Sequence, residues 1–289
     1  MNNPLLDKVL TDYDLNFEGY WKTVFTEYRD VKYNNSMWLA GPSSYVFALA
    51  DRRFAIDPVI RRVCDLDRVS DTLIDDLSDL SFILITHQHD DHFCLHLMRA
   101  LKDTSIRWYI PEGVSGELIA TSELNPENVT YVRAGDFIRE GEISIRVFNT
   151  PHLTKEEEEQ GEVFTEVGYE ITSPCVKILI PADVRNYEYD RYPKFENIDI
   201  CISHLWAGGN AIEPAKYSGL LDDFANFSAK FRARRYFICH LYEIGRGDIF
   251  MWHDGHADIA KARLRELLPT SEVIVPRLGN RYSLCVEEG

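Results

Sequence analysis

The segment Thr86–His92, which reads THQHDDH, constrains the fold of this chain more than any other stretch. It directly follows the apolar run Phe82–Ile85, which has the length and composition of a fully buried strand. Core packing does not explain the segment, because imidazoles and carboxylates are costly to bury without partners. A metal ion supplies such partners, since both groups are ligands for zinc and similar first-row ions. The sequence therefore predicts a metal site in the loop after a buried strand.

The spacing inside this segment leaves room for more than one ion. His87 and His89 alternate along the loop, so both side chains can turn toward one point. Asp91 and His92 come further round the turn and can reach a second point. We therefore expect the loop to serve two neighbouring metal ions.

The rest of the chain mixes hairpins with strand–helix units, and no stretch rich in Pro, Gly or Ser separates them. This pattern predicts one domain of two mixed sheets covered by helices. Strands are predicted at Ser44–Ala50, Phe54–Asp57, Phe82–Ile85, Arg107–Ile110, Ile143–Asn149, Val163–Ile171, Val176–Pro181, Ile198–Ser203, Tyr236–Cys239, Val273–Val275 and Tyr282–Cys285. Helices are predicted at Phe17–Tyr28, Cys94–Lys102, Ala215–Lys230 and His256–Leu268, the last with Asp254 or Gly255 as its N-cap.

Composition narrows the class of protein. With 31 basic and 47 acidic side chains the formal net charge is −16, which makes a nucleic-acid polymer an unlikely partner. No apolar run reaches the roughly 18 residues of a membrane span, and the first residues lack the pattern of a signal peptide. We therefore expect a cytoplasmic protein, and a homo-oligomer is compatible with this composition.

The pattern His-x-His-x-Asp-His after an apolar strand resembles the signature of the metallo-β-lactamase superfamily of metal-dependent hydrolases. Four further single-residue motifs of that family follow predicted strands in the expected order: Asp57, His152, Asp183 and His240. The resemblance implies an α/β fold, a four-layer αββα sandwich. It places the core at residues 44–285 of a single domain 1–289, with 1–35 as an N-terminal helical extension.

The resemblance also implies which residues bind metal. It assigns His87, His89 and His152 to one ion, Asp91, His92 and His240 to the other, and Asp183 to both. Asp57 is expected to support the ligand loop without binding metal itself. Two divalent ions are implied as cofactors, with zinc as the expected metal and manganese or iron as alternatives.

The implied chemistry is hydrolysis by a hydroxide shared between the two ions, which also stabilise charge on the oxygen under attack. Asp91 can orient that hydroxide or accept its proton. His204 follows another predicted strand, and we expect it either to bind substrate or act as general acid, or to be a structural histidine.

Further side chains follow the ligand positions and are candidates for binding substrate. Trp206 offers a stacking face, and Tyr242 comes two residues after His240. Arg185 and Arg246 would suit a small anionic substrate, although each of these residues alone also fits an ordinary surface position.

Departures from well-known branches of the family bear on the substrate. His152 is followed by Leu-Thr-Lys and not by the Thr-x-Gly of glyoxalase II and the β-lactamases, which argues against thioesters and β-lactams. The closest resemblance is to the branch with L-ascorbate-6-phosphate lactonases and phosphodiesterases. We therefore expect a phosphodiester as substrate. A lactone or carboxylic ester is the alternative, and a diiron redox protein or oxygenase is the alternative of another class.

Overall fold

The computed structural model describes residues 16, 19–59, 71–209, 214–242 and 251–285. The strands of these residues are β1 (Ser36–Leu39), β2 (Tyr45–Leu49), β3 (Arg52–Ile56), β4 (Phe82–Leu84), β5 (Arg107–Pro111), β6 (Val129–Val132), β7 (Phe137–Glu140), β8 (Ile143–Asn149), β9 (Val167–Thr172), β10 (Lys177–Ile180), β11 (Ile200–His204), β12 (Arg235–Cys239), β13 (Glu272–Ile274) and β14 (Arg281–Ser283). The helices are α1 (residues 19–27), α2 (Asp71–Ser78), α3 (Leu95–Ala100), α4 (Gly116–Thr121), α5 (Lys155–Glu159), α6 (Ser218–Ala229) and α7 (Asp254–Leu267). Short 3₁₀ turns lie at Val31–Tyr33, Pro126–Asn128, Tyr189–Arg191 and Pro214–Tyr217.

The described strands form two seven-stranded sheets. Their orders are β14-β1-β2-β3-β4-β5-β6 and β13-β12-β11-β10-β9-β8-β7. Strands β3 to β6 run parallel to one another, as do β10 to β13, whereas hairpin pairs such as β1–β2 and β8–β9 are antiparallel. The carboxyl ends of the parallel strands in each sheet therefore lie along one edge.

Alternating side chains build three apolar layers. In β4, Phe82 and Leu84 face the other sheet, while Ile83 faces the helices on the outside. In β11, Ile202 faces the first sheet and Cys201 faces α6 and α7. These two strands are thus buried on both faces, and strands of this kind read as continuous apolar runs.

Helices cover the outer face of each sheet. Residues Trp21, Val24 and Phe25 of α1 are buried in the apolar layer outside the first sheet. Leu221 of α6 and Ala260 of α7 are fully buried outside the second. The predicted αββα sandwich is confirmed. Among the described residues no helix is long and apolar enough to cross a membrane.

Three strands, β1, β6 and β7, were not predicted from the sequence. Strand β6 has a mixed burial pattern, and β7 places Phe137 and Arg139 in solvent, so neither reads as a buried apolar run. The predicted N-cap of the last helix is wrong. His253 caps α7, and its side chain accepts from the Gly255 amide at 3.1 Å. An imidazole whose Nδ1 is unprotonated can accept this bond as a carboxylate would.

Candidate metal centre

Loops at the carboxyl ends of the parallel strands carry most of the chemistry-bearing side chains. Asp57 follows β3, His87 to His92 follow β4, Asp183 follows β10, and His240 follows β12. His152 comes from the loop after β8 and joins the same edge. The fold thereby collects residues that are up to 183 positions apart.

The backbone is strained at several of these positions. Asp57, Ala182 and His240 have φ angles of 46°, 61° and 70°, a region that residues with a side chain rarely adopt. Such conformations cluster where the surrounding structure holds a functional group in place. At each of these three positions the backbone turns sharply just after a strand, so that the following side chains point along the sheet edge.

Two groups of potential ligand atoms lie side by side at this edge. His87, His89 and His152 form the first, and Asp91, His92, Asp183 and His240 form the second. Within each group the ligand atoms all lie within 4.8 Å of one another. His89 is half-buried and the other six residues are buried. The His87 and His92 rings, one from each group, have centroids 4.1 Å apart, so the groups adjoin.

Four of the histidines are oriented in the same way. His87 Nδ1 lies 3.1 Å and His152 Nδ1 2.9 Å from Glu166, while His92 Nδ1 lies 2.8 Å from Asp57. His240 Nδ1 lies 3.2 Å from the Leu205 carbonyl. Carboxylate and carbonyl oxygens only accept, so each Nδ1 is the donor in these contacts, and Nε2 is the nitrogen that faces the other potential ligands. Metal-ligating histidines characteristically have this arrangement.

Glu166 supports the first group and is completely buried. Besides His87 and His152, it accepts the Asp183 backbone amide at 2.8 Å, so its two oxygens take three hydrogen bonds. Burial alone would raise the pKa of Glu166, but the two histidines outweigh burial and lower it to about 2. The group is therefore a carboxylate that links residues of both donor groups.

Asp57 supports the second group in the same way as Glu166 supports the first. Its carboxylate accepts the Thr86 amide at 2.7 Å, the Thr86 hydroxyl at 2.6 Å and His92 Nδ1 at 2.8 Å. It is fully buried and has no ligand atom in either group. The structure thus places Asp57 behind the ligand loop.

The donor groups fit divalent metal ions. Nε2 of His92 and Nε2 of His152 are buried and have no hydrogen-bond partner, which is costly unless another ligand is present. Burial, followed by the nearby His87 and His152, lowers the pKa of His89 to about 3, so this side chain is neutral at physiological pH. Imidazoles and carboxylates grouped in this way are the donors that zinc, manganese or iron require, and each imidazole binds such an ion in its neutral form.

His204 lies within this edge but both of its nitrogens contact protein. Nδ1 lies 2.8 Å from Asp183 Oδ1, and Nε2 lies 2.8 Å from the Tyr45 hydroxyl. Because the carboxylate accepts from Nδ1, Nε2 accepts from Tyr45. The His204 ring stacks on His240 at 5.3 Å between centroids.

The candidate substrate-binding residues lie in different environments, unlike the potential metal ligands. Arg185 is half-buried and lies 3.4 Å from Glu157, a residue of α5. The Trp206 backbone amide and carbonyl both bond to the Tyr187 hydroxyl, while its ring stays half-buried beside Trp252. The Tyr242 hydroxyl accepts the Asp254 amide at 3.2 Å. Arg246 lies outside the described residues.

Sequence reasoning missed three residues that contact the centre. Glu166 is one of many acidic residues, and Tyr45 lies in an ordinary apolar strand, so neither carries a local signal. Phe164 packs against three histidines, with centroids 4.6 Å from His89 and 4.5 Å from His152. Phe164 lies within the predicted strand Val163–Ile171, and nothing in its local sequence indicates a contact with these histidines.

A comparison with protein families matches residues 52–262 to a family described as the beta-lactamase superfamily domain. None of the curated proteins compared with the chain matches it. Several solved structures share its fold at low sequence identity.

A putative metal-dependent hydrolase from Parabacteroides distasonis has a TM-score of 0.56 at 15% identity, covering 84% of this chain and 92% of that one. An isothiocyanate hydrolase from Delia radicum gut bacteria has a TM-score of 0.58 at 14% identity, covering 86% and 99%. CmlA, a diiron beta-hydroxylase from Streptomyces venezuelae, has a TM-score of 0.63 at 13% identity, covering 88% of this chain and 54% of CmlA. At these identities the likeness is one of fold.

Proposed function

The chain belongs to the metallo-β-lactamase superfamily of metal-dependent hydrolases, and we propose that it hydrolyses a phosphodiester in a small anionic substrate with two metal ions. The observation that carries the proposal is the pair of adjoining donor groups with inward-facing Nε2 atoms. His87, His89 and His152 would hold one ion, Asp91, His92 and His240 the other, and Asp183 both. When bound, the ions supply an activated water and stabilise charge on the attacked oxygen.

Asp91 is proposed to orient the attacking water and accept its proton. Its side chain lies among the second group, with Oδ2 3.3 Å from His240 Nε2 and 3.6 Å from His92 Nε2. Its backbone carbonyl accepts the Ser43 hydroxyl at 2.6 Å, which fixes the turn of the ligand loop. A carboxylate held in this way can both bind metal and take up a proton.

His204 is proposed to act on the reaction through Asp183. Both of its nitrogens are engaged within the protein, so the side chain holds Asp183 Oδ1 in one orientation. Removal of His204 would free that carboxylate to turn. We therefore expect His204→Ala to lower turnover of the substrate, and unchanged turnover would exclude this role.

The charge of the centre favours a diester over a phosphate monoester. Four carboxylates, those of Asp57, Asp91, Glu166 and Asp183, lie buried in or directly behind the donor groups. Histidines that bind a metal ion are neutral, so the four negative charges of these carboxylates would balance two divalent ions. A site of low net charge accommodates a singly charged diester better than a doubly charged monoester. Arg185, half-buried beyond Asp183, is a candidate contact for the phosphate, in competition with Glu157.

The test combines metal analysis with a substrate panel. The protein is loaded with zinc, manganese or iron in turn, its metal content is measured, and bis-p-nitrophenyl phosphate, cyclic nucleotides and a γ-lactone are offered. We expect two ions per chain, zinc among the active metals, and cleavage of diesters. Cleavage of the lactone alone would replace the diester by the lactone alternative. Oxygen consumption by the iron-loaded protein, without hydrolysis, would instead support the diiron redox alternative.

A cytoplasmic location and a homo-oligomer stay predictions.

A further inference from the structure

A pocket of about 150 Å³ lies against the ligand His240. Most of its described lining is apolar, including Leu39, Ile238, Leu241 and Leu278. It opens at the carboxyl ends of β1 and β12, which is the same edge as the donor groups. A group bound there would therefore be next to the proposed metal centre.

The described lining of the pocket comes in about equal parts from inside and outside the family match. Tyr20 and Leu39 precede residue 52, and Leu278 follows residue 262, whereas His240 and Leu241 lie within the matched segment. An isolated parallel bridge joins Leu39 to Leu278, which holds the N-terminal and C-terminal parts together beside β12. Segments outside the matched family model thus complete a wall of the hydrolase scaffold.

Helix α1 reaches this wall through a close approach at Gly279. Gly279 has a φ of +76°, and a Cβ added there would lie 3.0 Å from the Tyr20 Cβ. A side chain at this position would strain the backbone and press on Tyr20, so glycine suits it best. The Tyr20 side chain is thereby held over the pocket.

The described part of the lining offers apolar surface and no unbalanced charge. Arg277 is the charged residue among the described lining, and its guanidinium lies 2.5 Å from Asp254. The Tyr242 hydroxyl accepts a hydrogen bond from the Asp254 backbone amide. A ligand in this pocket would therefore be selected by its size and apolar area.

We propose that this pocket binds an apolar group of the substrate while the ester lies at the metal centre, which makes the substrate an amphipathic diester. The volume matches a group of about the size of a benzene ring, since a cavity of about 150 Å³ lined by aliphatic side chains holds benzene. The inference depends on the proposed function for the position of the ester. Tyr20 and Leu278 are then specificity-determining residues.

The test compares phenyl p-nitrophenyl phosphate with methyl p-nitrophenyl phosphate on the metal-loaded protein. Both release p-nitrophenol and differ only in the second ester group. We expect kcat/KM to be about tenfold higher for the phenyl ester. Leu278→Trp should fill the pocket and Tyr20→Ala should open it to water, so either variant should reduce that preference about threefold or more.

Tyr131→Ala is the matched control, because Tyr131 lies half-exposed on β6 at the opposite edge of the same sheet and should leave the preference unchanged. If Leu278→Trp does not fold, Tyr20→Ala still decides the question. A preference that stays the same in both variants, or no preference in the wild type, would overturn the inference.

Binding of phenylphosphonate and methylphosphonate, measured by calorimetry, separates this inference from the proposed function. Tighter binding of phenylphosphonate that is lost in Tyr20→Ala, in a protein that cleaves no diester, would support the pocket and reject the diesterase. Cleavage of both diesters at equal rates, with equal binding of both phosphonates, would support the diesterase and reject the pocket.

Discussion

Replacement of Glu166 by Gln should weaken one metal site and spare the other. Glu166 Oε1 accepts from His87 Nδ1 and the Asp183 amide, and Oε2 accepts from His152 Nδ1. A glutamine has one acceptor oxygen. Its most favourable orientation places that oxygen in the position of Glu166 Oε1, where it can accept from both donors. Its NH₂ group then faces His152 Nδ1, where two donors meet. His152 can relieve this clash by moving its proton to Nε2, but that nitrogen then no longer binds metal.

The magnitude follows from the loss of one hydrogen bond to a buried carboxylate. Such a bond contributes about 1.5–3 kcal/mol, and altered support of a metal-ligating histidine weakens metal binding about 10- to 100-fold. The two figures agree, since a tenfold change is about 1.4 kcal/mol. We therefore expect the first site to lose zinc about 10- to 100-fold more easily, whereas the second site changes little.

The assay is a zinc titration against a competing chelator, with metal content measured at each point. Long-range ¹H–¹⁵N spectra of the imidazoles report which histidines bind metal through Nε2. Asp57→Asn is the mirror variant and should release metal from the His92 site first, because Asp57 supports His92 alone among the ligands. Glu170→Gln is the control, since Glu170 on β9 pairs with Arg146 on β8 and belongs to neither donor group. Wild-type affinity at both sites in Glu166→Gln, or an unchanged Nε2-bound His152, would refute the reasoning.

Three further predictions concern stability and turnover. Removal of metal by a chelator should lower the melting temperature by about 5–10 °C, because saturating a site at about 100 times its Kd contributes about 2.7 kcal/mol; scanning fluorimetry with and without zinc checks this. Tyr45→Phe leaves the buried His204 Nε2 without its donor, so it should reduce the free energy of unfolding by about 1–3 kcal/mol and lower kcat while metal content stays the same. Burial, with the nearby His253, lowers the pKa of His256 from 6.5 to about 4, so the unfolded chain takes up a proton that the folded one excludes. The free energy of unfolding therefore decreases as pH falls from 6.5 to 4, by at most about 1.4 kcal/mol per pH unit. Urea unfolding of His256→Asn should show a smaller decrease of the free energy of unfolding over the same pH range.

Much of the fold could be predicted because both faces of most strands are buried. Strands such as β4, β10 and β12 are nearly pure apolar runs, and their boundaries were predicted to within a residue or two. Strand β6 was missed because its solvent-facing positions interrupt the apolar pattern. Its pairing with β5 is a tertiary contact that local sequence does not reveal.

The sequence by itself determined the chemistry of the donors, because imidazoles and carboxylates clustered directly after a buried apolar strand are costly to bury without a metal ion as partner. The segment Thr86–His92 and the single residues that follow later strands were visible without a structure. The tertiary structure alone decided how these donors are oriented. Glu166 contacts histidines 79 and 14 positions away, and Tyr45 contacts His204 across 159 positions. Hydrogen bonds over such separations depend on which strand ends become neighbours, and that is a property of sheet order and not of any local run of residues.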